Sequence, residues 1–339
     1  MLKAGFIGFG RMGITHFSIL NTHPSVKIVA ICDASTTITN VIRKYIEIEI
    51  YSDYRRMMEE VDLDFVLIST PADSHAEIIK AAIENNLHIF VEKPFVLKTS
   101  DGIDIISHDK AKNLVTQVGY VNRFNEIFVE IKNLIDSGVI GQIKNFRSEM
   151  YGPTVLKNSK ATWRSNKNKG GGCMYEFASH CIDLAIFLIG EPVDVGGSIM
   201  QRIYSKHVED LVCSTFFYDN DCSGAIYANW SDETYRTPTN TLTILGSKGK
   251  IVADRHSFKI FLKKEDSINK FNHGWNTRHI TDIAKSVRFY VRGNEFTRQL
   301  EYFIGCIENR QLENISGFKE AIKTDIIMKK IELDASKKS

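Results

Sequence analysis

Residues 3–13 read Lys3-Ala4-Gly5-Phe6-Ile7-Gly8-Phe9-Gly10-Arg11-Met12-Gly13, a short apolar run that passes without a break into G-x-G-x-x-G. The run has strand character, and Arg11 to Leu20 beyond it has the length and spacing of a helix. In a strand-turn-helix setting each glycine has its own task. The first makes a tight turn, the second lets backbone approach a pyrophosphate, and the third lets the helix pack closely on the strand. The helix N-terminus adds unpaired N–H groups and the positive end of its dipole. Gly8, Phe9, Gly10, Arg11, Met12 and Gly13 are therefore candidate cofactor-binding residues. A purely structural glycine turn is the alternative, and the sequence that follows weighs against it.

Working outward, Lys27 to Cys32, Phe65 to Ser69, His88 to Val91 and Leu114 to Val118 read as further strands. Between them Ser35 to Ile46, Ser74 to Asn85 and Ser100 to Lys112 read as helices, with Ser74 and Ser100 as expected N-caps. Strands separated by helix-length segments pair in parallel through right-handed crossovers. An N-terminal Rossmann domain, a doubly wound parallel sheet, is expected over residues 1–120. Asp33 ends the second strand at the spacing where a carboxylate accepts hydrogen bonds from the adenosine ribose hydroxyls. That charge would meet a 2′-phosphate badly, which favours NAD over NADP. Asp33 can also cap the helix near Ser35, and the two roles can coexist. Ser69, Thr70 and Pro71 fall at the next strand end, where ligands of open α/β sheets bind. His75 is either in reach of a ribose or phosphate there, or a surface residue of a first helical turn.

After Gly119-Tyr120 the texture changes. A helix from Arg123 to Asp136, a strand from Ile143 to Tyr151 and a polar loop from Gly152 to Lys169 are followed by several β-rich runs from Val193 to Leu262 joined by turn signals. Residues 121–339 are expected to form a C-terminal α+β domain with a large, mostly antiparallel open sheet. Two amphipathic helices, Glu295 to Glu308 and Phe318 to Leu333, close the chain, and the C-terminal helix is a candidate to pack back on the first domain. Leu211 to Tyr218 and Thr241 to Leu245 carry apolar residues at both parities, which suggests that both sheet faces are covered, one by a partner subunit.

Two segments carry reactive groups. Glu92-Lys93-Pro94 follows a parallel strand, so Lys93 emerges at the strand-end cleft, where an ammonium can hydrogen-bond a reacting oxygen and stabilise alkoxide-like charge. Glu92 and Lys93 are at the same time candidate cofactor-binding residues, and a surface lysine paired with Glu92 is the alternative. In Gly170-Gly171-Gly172-Cys173-Met174-Tyr175-Glu176-Phe177-Ala178-Ser179-His180-Cys181-Ile182-Asp183, the residues Glu176, His180 and Asp183 stand at i, i+4 and i+7, one face of a helix. His180 has the intrinsic pKa to exchange a hydroxyl proton near neutrality, and either acid can orient its ring. A hydrogen-bonded core histidine and metal binding by the trio are alternatives, but a lysine that polarises oxygen leaves no need for a metal.

Together these segments resemble the Gfo/Idh/MocA family of oxidoreductases. The resemblance rests on Gly8 to Gly13, Asp33, Thr70-Pro71 with His75, Glu92-Lys93-Pro94, Gly119-Tyr120 with Arg123-Phe124, and the triglycine segment ending in His180 and Asp183. It implies that Lys93 and His180 are the catalytic pair, that the residue four before His180 binds a substrate hydroxyl, and that subunits form dimers or tetramers through the open sheet. That fourth residue is commonly Asp in the family and is Glu176 here. The resemblance further implies hydride transfer between NAD and a hydroxyl or keto carbon of a sugar, nucleotide sugar or inositol. Glu176, Asp183, Arg123, Trp163 and Arg164 are the expected substrate-binding residues. An NAD-dependent glycosidase and a non-catalytic NAD-sensing regulator are the competing accounts.

The loop before the triglycine holds Lys157, Lys160, Arg164, Lys167 and Lys169 and no acid, so it is either a dock for a phosphate or nucleotide handle, with Trp163 as a flat face for a ring, or a solvated charged loop. Overall charge excludes more than it suggests. With 43 Lys and Arg against 41 Asp and Glu in 339 residues, the net +2 is far from what nucleic acid demands. Apolar stretches such as Leu184 to Ile189 fall short of the ~20 residues of a membrane span, and the start reads as cytoplasmic, without a leader. Six cysteines without a Cys-x-x-Cys pair are expected to be buried, reduced thiols.

Overall fold

The computed structural model describes residues 1–155 and 163–337. The chain divides into two compact units, Met1–Val121 with Ser286–Ile322, and Asn122–Lys285 with Lys323–Ser339.

In the first unit, β1 (Leu2–Ile7) and α1 (Arg11–Leu20) flank the glycine turn. They are followed by β2 (Val26–Cys32), α2 (Thr36–Ile42), β3 (Glu49–Tyr51), α3 (Tyr54–Glu60) and β4 (Phe65–Ile68). Next come α4 (His75–Glu84), β5 (His88–Val91), α5 (Thr99–Ser107) and β6 (Thr116–Val118). The sheet is parallel throughout, in the order β3-β2-β1-β4-β5-β6, the doubly wound arrangement expected. The carboxyl ends of its strands therefore share one edge. Local details differ from the sequence reading. Ser74 lies in a 3-10 turn (Ala72–Ser74) with no capping bond, and its hydroxyl donates instead to Thr70 Oγ1 at 2.8 Å and Pro71 O at 2.9 Å. Ser100 is not a cap either, because α5 starts at Thr99 after Lys98. The helix expected over Ser100 to Lys112 breaks at His108 into α5 and a 3-10 turn, Asp109–Asn113.

In the second unit a 3-10 turn (Val121–Phe124) leads to α6 (Glu126–Asp136), whose first turn is capped by the Asn125 side chain. Then come β7 (Ile143–Tyr151), α7 (Ser179–Ile189), β8 (Asp194–Gln201), β9 (Leu211–Phe217) and β10 (Ser223–Asn229). β11 (Thr239–Gly246), β12 (Gly249–Asp254), β13 (Ser257–Leu262), β14 (Gly274–His279) and the short α8 (Ile280–Ile283) follow. The eight strands form one sheet, β14-β13-β12-β11-β7-β10-β9-β8, antiparallel except for the β7-β10 pair. Burial alternates along β9, β10 and β11, so one face (Val212, Phe216, Ile226, Leu242, Ile244) is core, with α7 packed on β7 and β10. The other face leaves Ile199, Phe217, Leu245, Val252 and Trp275 exposed. The run Lys167–Ile189 is apolar and long enough to cross a bilayer, contrary to the short stretches noted in the sequence, yet 78% of its most apolar window is buried in the protein.

The chain returns to the first unit with α9 (Asn294–Glu308), while α10 (Phe318–Ser336) begins in the first unit and continues in the second. Leu300, Phe303 and Ile304 of α9 join the core made by Phe6, Phe65, Leu67 and Phe90, with the Phe303 ring 5.5 Å from Phe65 and 5.8 Å from Phe90. The sequence reading had placed Ser286–Ile322 in the second domain. All six cysteines are free, and all but the half-buried Cys213 are buried. Burial pushes the Cys32 thiol up to about 12, so it is inert as a nucleophile.

Candidate active site

The glycine turn is built as its spacing demands. Gly8 has φ +86°, and a Cβ there would sit 2.8 Å from the Ser69 carbonyl carbon. Its N–H donates to Cys32 O at 2.8 Å, and its carbonyl accepts from Ser69 Oγ at 2.7 Å. A Cβ on Gly13 would overlap the Gly8 carbonyl oxygen, which is why α1 can start so close to β1. Gly10 differs: a Cβ there would meet no protein atom within 4 Å. The fold leaves space at that point, and backbone approach to a pyrophosphate is the use such space has in this motif. Phe9 is buried against Phe17, Met12 is half-buried and Arg11 is exposed.

Both carboxylate oxygens of Asp33 accept backbone N–H groups, and the cap expected of it falls to Ser35. Its Oδ2 accepts the Phe9 N–H at 2.7 Å, fixing the carboxylate beside the glycine turn, and its Oδ1 accepts the Ser35 N–H at 2.8 Å. Ser35 itself caps α2. Ser69 and Thr70 are half-buried at the end of β4, with Pro71 exposed.

His75 is not a surface residue. It is fully buried, with Nδ1 2.9 Å from Pro94 O and Nε2 3.1 Å from Thr70 O. Burial holds its imidazole below the ordinary value of 6.5. Its work is to tie the turn after β4 to the turn after β5.

Glu92 and Lys93 leave the end of β5, and the Lys93–Pro94 peptide is cis. The Glu92 N–H donates to Ile68 O at 2.9 Å, and its Oε2 accepts the Lys93 N–H at 3.2 Å. Its Oε1 lies 2.6 Å from Nε2 of His16, a buried residue of α1. Burial pushes the Glu92 carboxyl up, but the His16 hydrogen bond and the neighbouring Lys93 charge outweigh it and hold the group below the usual carboxylate range. His16 was not anticipated. The available signal was a polar residue one turn after Gly13 on the inward face of α1.

In the second unit the triglycine shapes a helix start. Gly170 (φ +79°) ends a 3-10 turn, Lys167–Lys169, and Gly172 (φ +114°) passes so close to the Glu209 carboxylate that a Cβ would overlap it. Glu209 accepts the Cys173 N–H on its carbonyl at 3.0 Å and the Met174 N–H on Oε1 at 2.8 Å. Burial pushes its carboxyl up. The helix opens with a π turn, Met174–Ala178, before α7. Every residue from Gly171 to Ile186 is buried except Glu176 and His180, which are half-buried one turn apart.

Asp183 does not join them. It is 1% exposed and forms an ion pair with Arg123, itself 2% exposed, through Nη2 to Oδ1 at 2.7 Å and Nε to Oδ1 and Oδ2 at 3.0 and 3.1 Å. Both were expected to touch substrate, but both are buried and paired with each other, and Asp183 Oδ1 also accepts from Thr324 Oγ1 at 3.4 Å. Arg164 stacks over Trp163 at 4.7 Å. Lys157 and Lys160 lie outside the described residues, and Lys167 reaches Glu332 of α10 at 3.2 Å, so the basic loop meets an acid its own sequence lacks. Among the described residues no group of three or more His, Cys, Asp or Glu is placed to hold a metal ion.

Two family models match the chain. One, described as an oxidoreductase family with an NAD-binding Rossmann fold, covers residues 2–120, and the other, a GFO/IDH/MocA C-terminal domain, covers residues 128–252. The inositol 2-dehydrogenase of Salmonella typhimurium is 31% identical over 194 residues, 56% of this chain and 55% of that protein, so the match spans about half of its length. The myo-inositol 2-dehydrogenase of Thermotoga maritima is 24% identical over 334 residues, 95% of this chain and 89% of that protein. A levoglucosan dehydrogenase solved with NADH has the same fold, with a TM-score of 0.89 at 24% identity over 100% of this chain and 98% of that one.

Proposed function

The chain belongs to the GFO/IDH/MocA oxidoreductase family, and on that premise we propose that it is an NAD-dependent dehydrogenase acting on a hydroxyl-bearing carbon of a sugar or cyclitol. The observation that carries the reading is the glycine turn, where Gly8 and Gly13 are filled against protein while Gly10 faces open space beside the held Asp33 carboxylate. Those residues fit a dinucleotide whose ribose meets Asp33, and the same charge disfavours a 2′-phosphate. When bound, the nicotinamide supplies or accepts the hydride.

The chain's own groups manage the oxygen and its proton. Lys93, at the strand end, hydrogen-bonds the reacting oxygen and stabilises negative charge as it develops there. His180 takes or returns the hydroxyl proton. Glu176, one turn before it, accepts a hydrogen bond from a neighbouring hydroxyl, one methylene further out than the Asp common in the family. An uncharged polyol is favoured over a phosphate-bearing sugar, because Lys167 is engaged by Glu332 and the relatives are named for inositol and levoglucosan. Self-association through the apolar outer sheet face (Phe217, Leu245, Val252, Trp275) completes the proposal, since such a patch marks an interaction surface.

The test is a panel of inositols, hexoses, anhydrosugars and nucleotide sugars scored by NADH absorbance. Wild type is expected to reduce NAD with at least one neutral polyol. Lys93→Ala is expected to bind NADH normally and to lose turnover by at least about 100-fold, the range of an electrostatic stabiliser. Wild type indifferent to NADH, or an active Lys93→Ala enzyme, would overturn the reading.

A further inference from the structure

We infer that His16 is a positioning residue which, through Glu92, couples the glycine turn to Lys93, so that a dinucleotide seated on the turn also fixes where the ammonium is held. The inference rests on the role proposed above for Lys93.

Helix α1 starts immediately after the turn, and its inward face carries Gly13 and, one turn on, His16. The His16 ring is fully buried with Nε2 2.6 Å from Glu92 Oε1, while Nδ1 is buried without a hydrogen-bond partner. An ionised carboxylate only accepts, so the Nε2–H of His16 is the donor of this contact. The ring packs edge-on against Phe90, with centroids 5.2 Å apart. The other oxygen of the same carboxylate accepts the Lys93 N–H at 3.2 Å. Gly119 lies against the same carboxylate, where a Cβ would press to 3.1 Å from it, and the Gly119 N–H is held by Val91 O at 2.8 Å. His75 anchors the next residue through Pro94 O. The segment carrying Lys93 is thus held by two buried imidazoles. Of these, His16 sits on the helix whose N-terminus forms the dinucleotide turn, one rigid turn beyond the glycine that packs on β1.

The test compares wild type, His16→Phe, which fills the pocket without a donor, and His16→Gln, whose amide can still donate to Glu92. His16→Phe is expected to lower kcat roughly 10- to 100-fold, the factor set by one hydrogen bond to a charged group. NADH affinity and the substrate KM should change little, and His16→Gln should recover most of the loss. Hydrogen exchange gives a readout independent of turnover. NADH should slow exchange of the Val91–Val96 segment in wild type and His16→Gln, and much less in His16→Phe. Wild-type kcat in His16→Phe, or equal NADH protection of that segment in both proteins, would overturn the inference. If His16→Phe does not fold, Glu92→Gln keeps the volume and removes the charge; it should show the same kcat loss, and undiminished kcat there would also overturn it. A wild type that binds NADH but turns over no sugar would defeat the dehydrogenase reading while the exchange comparison still decides the coupling.

Discussion

Replacing Gly10 by alanine should strengthen the fold and weaken the dinucleotide. Its backbone, φ −73° and ψ −164°, is open to any residue, and the added Cβ meets no protein atom within 4 Å. Removing glycine's freedom from the unfolded chain stabilises by about 0.4–1 kcal/mol when the native conformation suits alanine, which for a unit of this size raises Tm by about 1–4 °C. The methyl group, however, occupies the space into which a pyrophosphate must come. Overpacking of that kind costs about 1–3 kcal/mol, or roughly a 5- to 150-fold weaker Kd for NADH. Gly13→Ala is the control of opposite kind. Its Cβ overlaps the Gly8 carbonyl oxygen, which is backbone and already held by Ser69 Oγ at 2.7 Å, so the fold itself should lose stability. Thermal melts and fluorescence titration with NADH read both quantities on the same samples. Undiminished NADH affinity in Gly10→Ala would mean that no dinucleotide lies over this turn, and a lowered Tm would refute the open space.

Two further outcomes follow from buried groups. Arg123→Leu removes the cation paired with the Asp183 carboxylate, which is 1% exposed, and should cost about 3–5 kcal/mol, seen as a Tm fall of about 10 °C with NADH affinity retained; a loss of less than about 1 kcal/mol would contradict the pair's role. His75 gives a pH signature, because burial lowers its folded pKa below 6.5. As pH falls the unfolded chain takes up the proton first, so stability is intact above about 6.5 and declines as pH drops from there through the folded value. Denaturant midpoints measured across that window should fall less steeply for His75→Gln, and an unchanged slope would show that another group titrates.

What could be read from the sequence was whatever depends on neighbours in the chain. The glycine turn, Asp33 and the strand before Lys93 are local patterns, and a parallel sheet then brings strand ends to one edge by topology alone. Strand β3 escaped notice because it is three residues long and never buried, and α3 because seven residues, mostly charged, bury little beyond Met57 and Met58. An amphipathic α9 announces that it packs but not on which sheet, so its place in the first unit's core was invisible. The helical phase assumed for Glu176, His180 and Asp183 did not allow for a π turn, and nothing near Asp183 in sequence reveals that Arg123 will claim it. The histidines show the same division most sharply. Three of the ten, His16, His75 and His180, stand in helices or helix starts, and nothing in their sequence neighbourhoods tells a framework histidine from an accessible one. Structure separates them by what their ring nitrogens meet: His75 lies between two carbonyl oxygens and His16 faces one carboxylate, both out of solvent, whereas His180 keeps accessible surface on the same stretch as Glu176. A proton exchanged with substrate needs a ring that substrate can reach, so the accessible histidine is the acid–base candidate, while the two buried ones contact the Glu92–Pro94 turn.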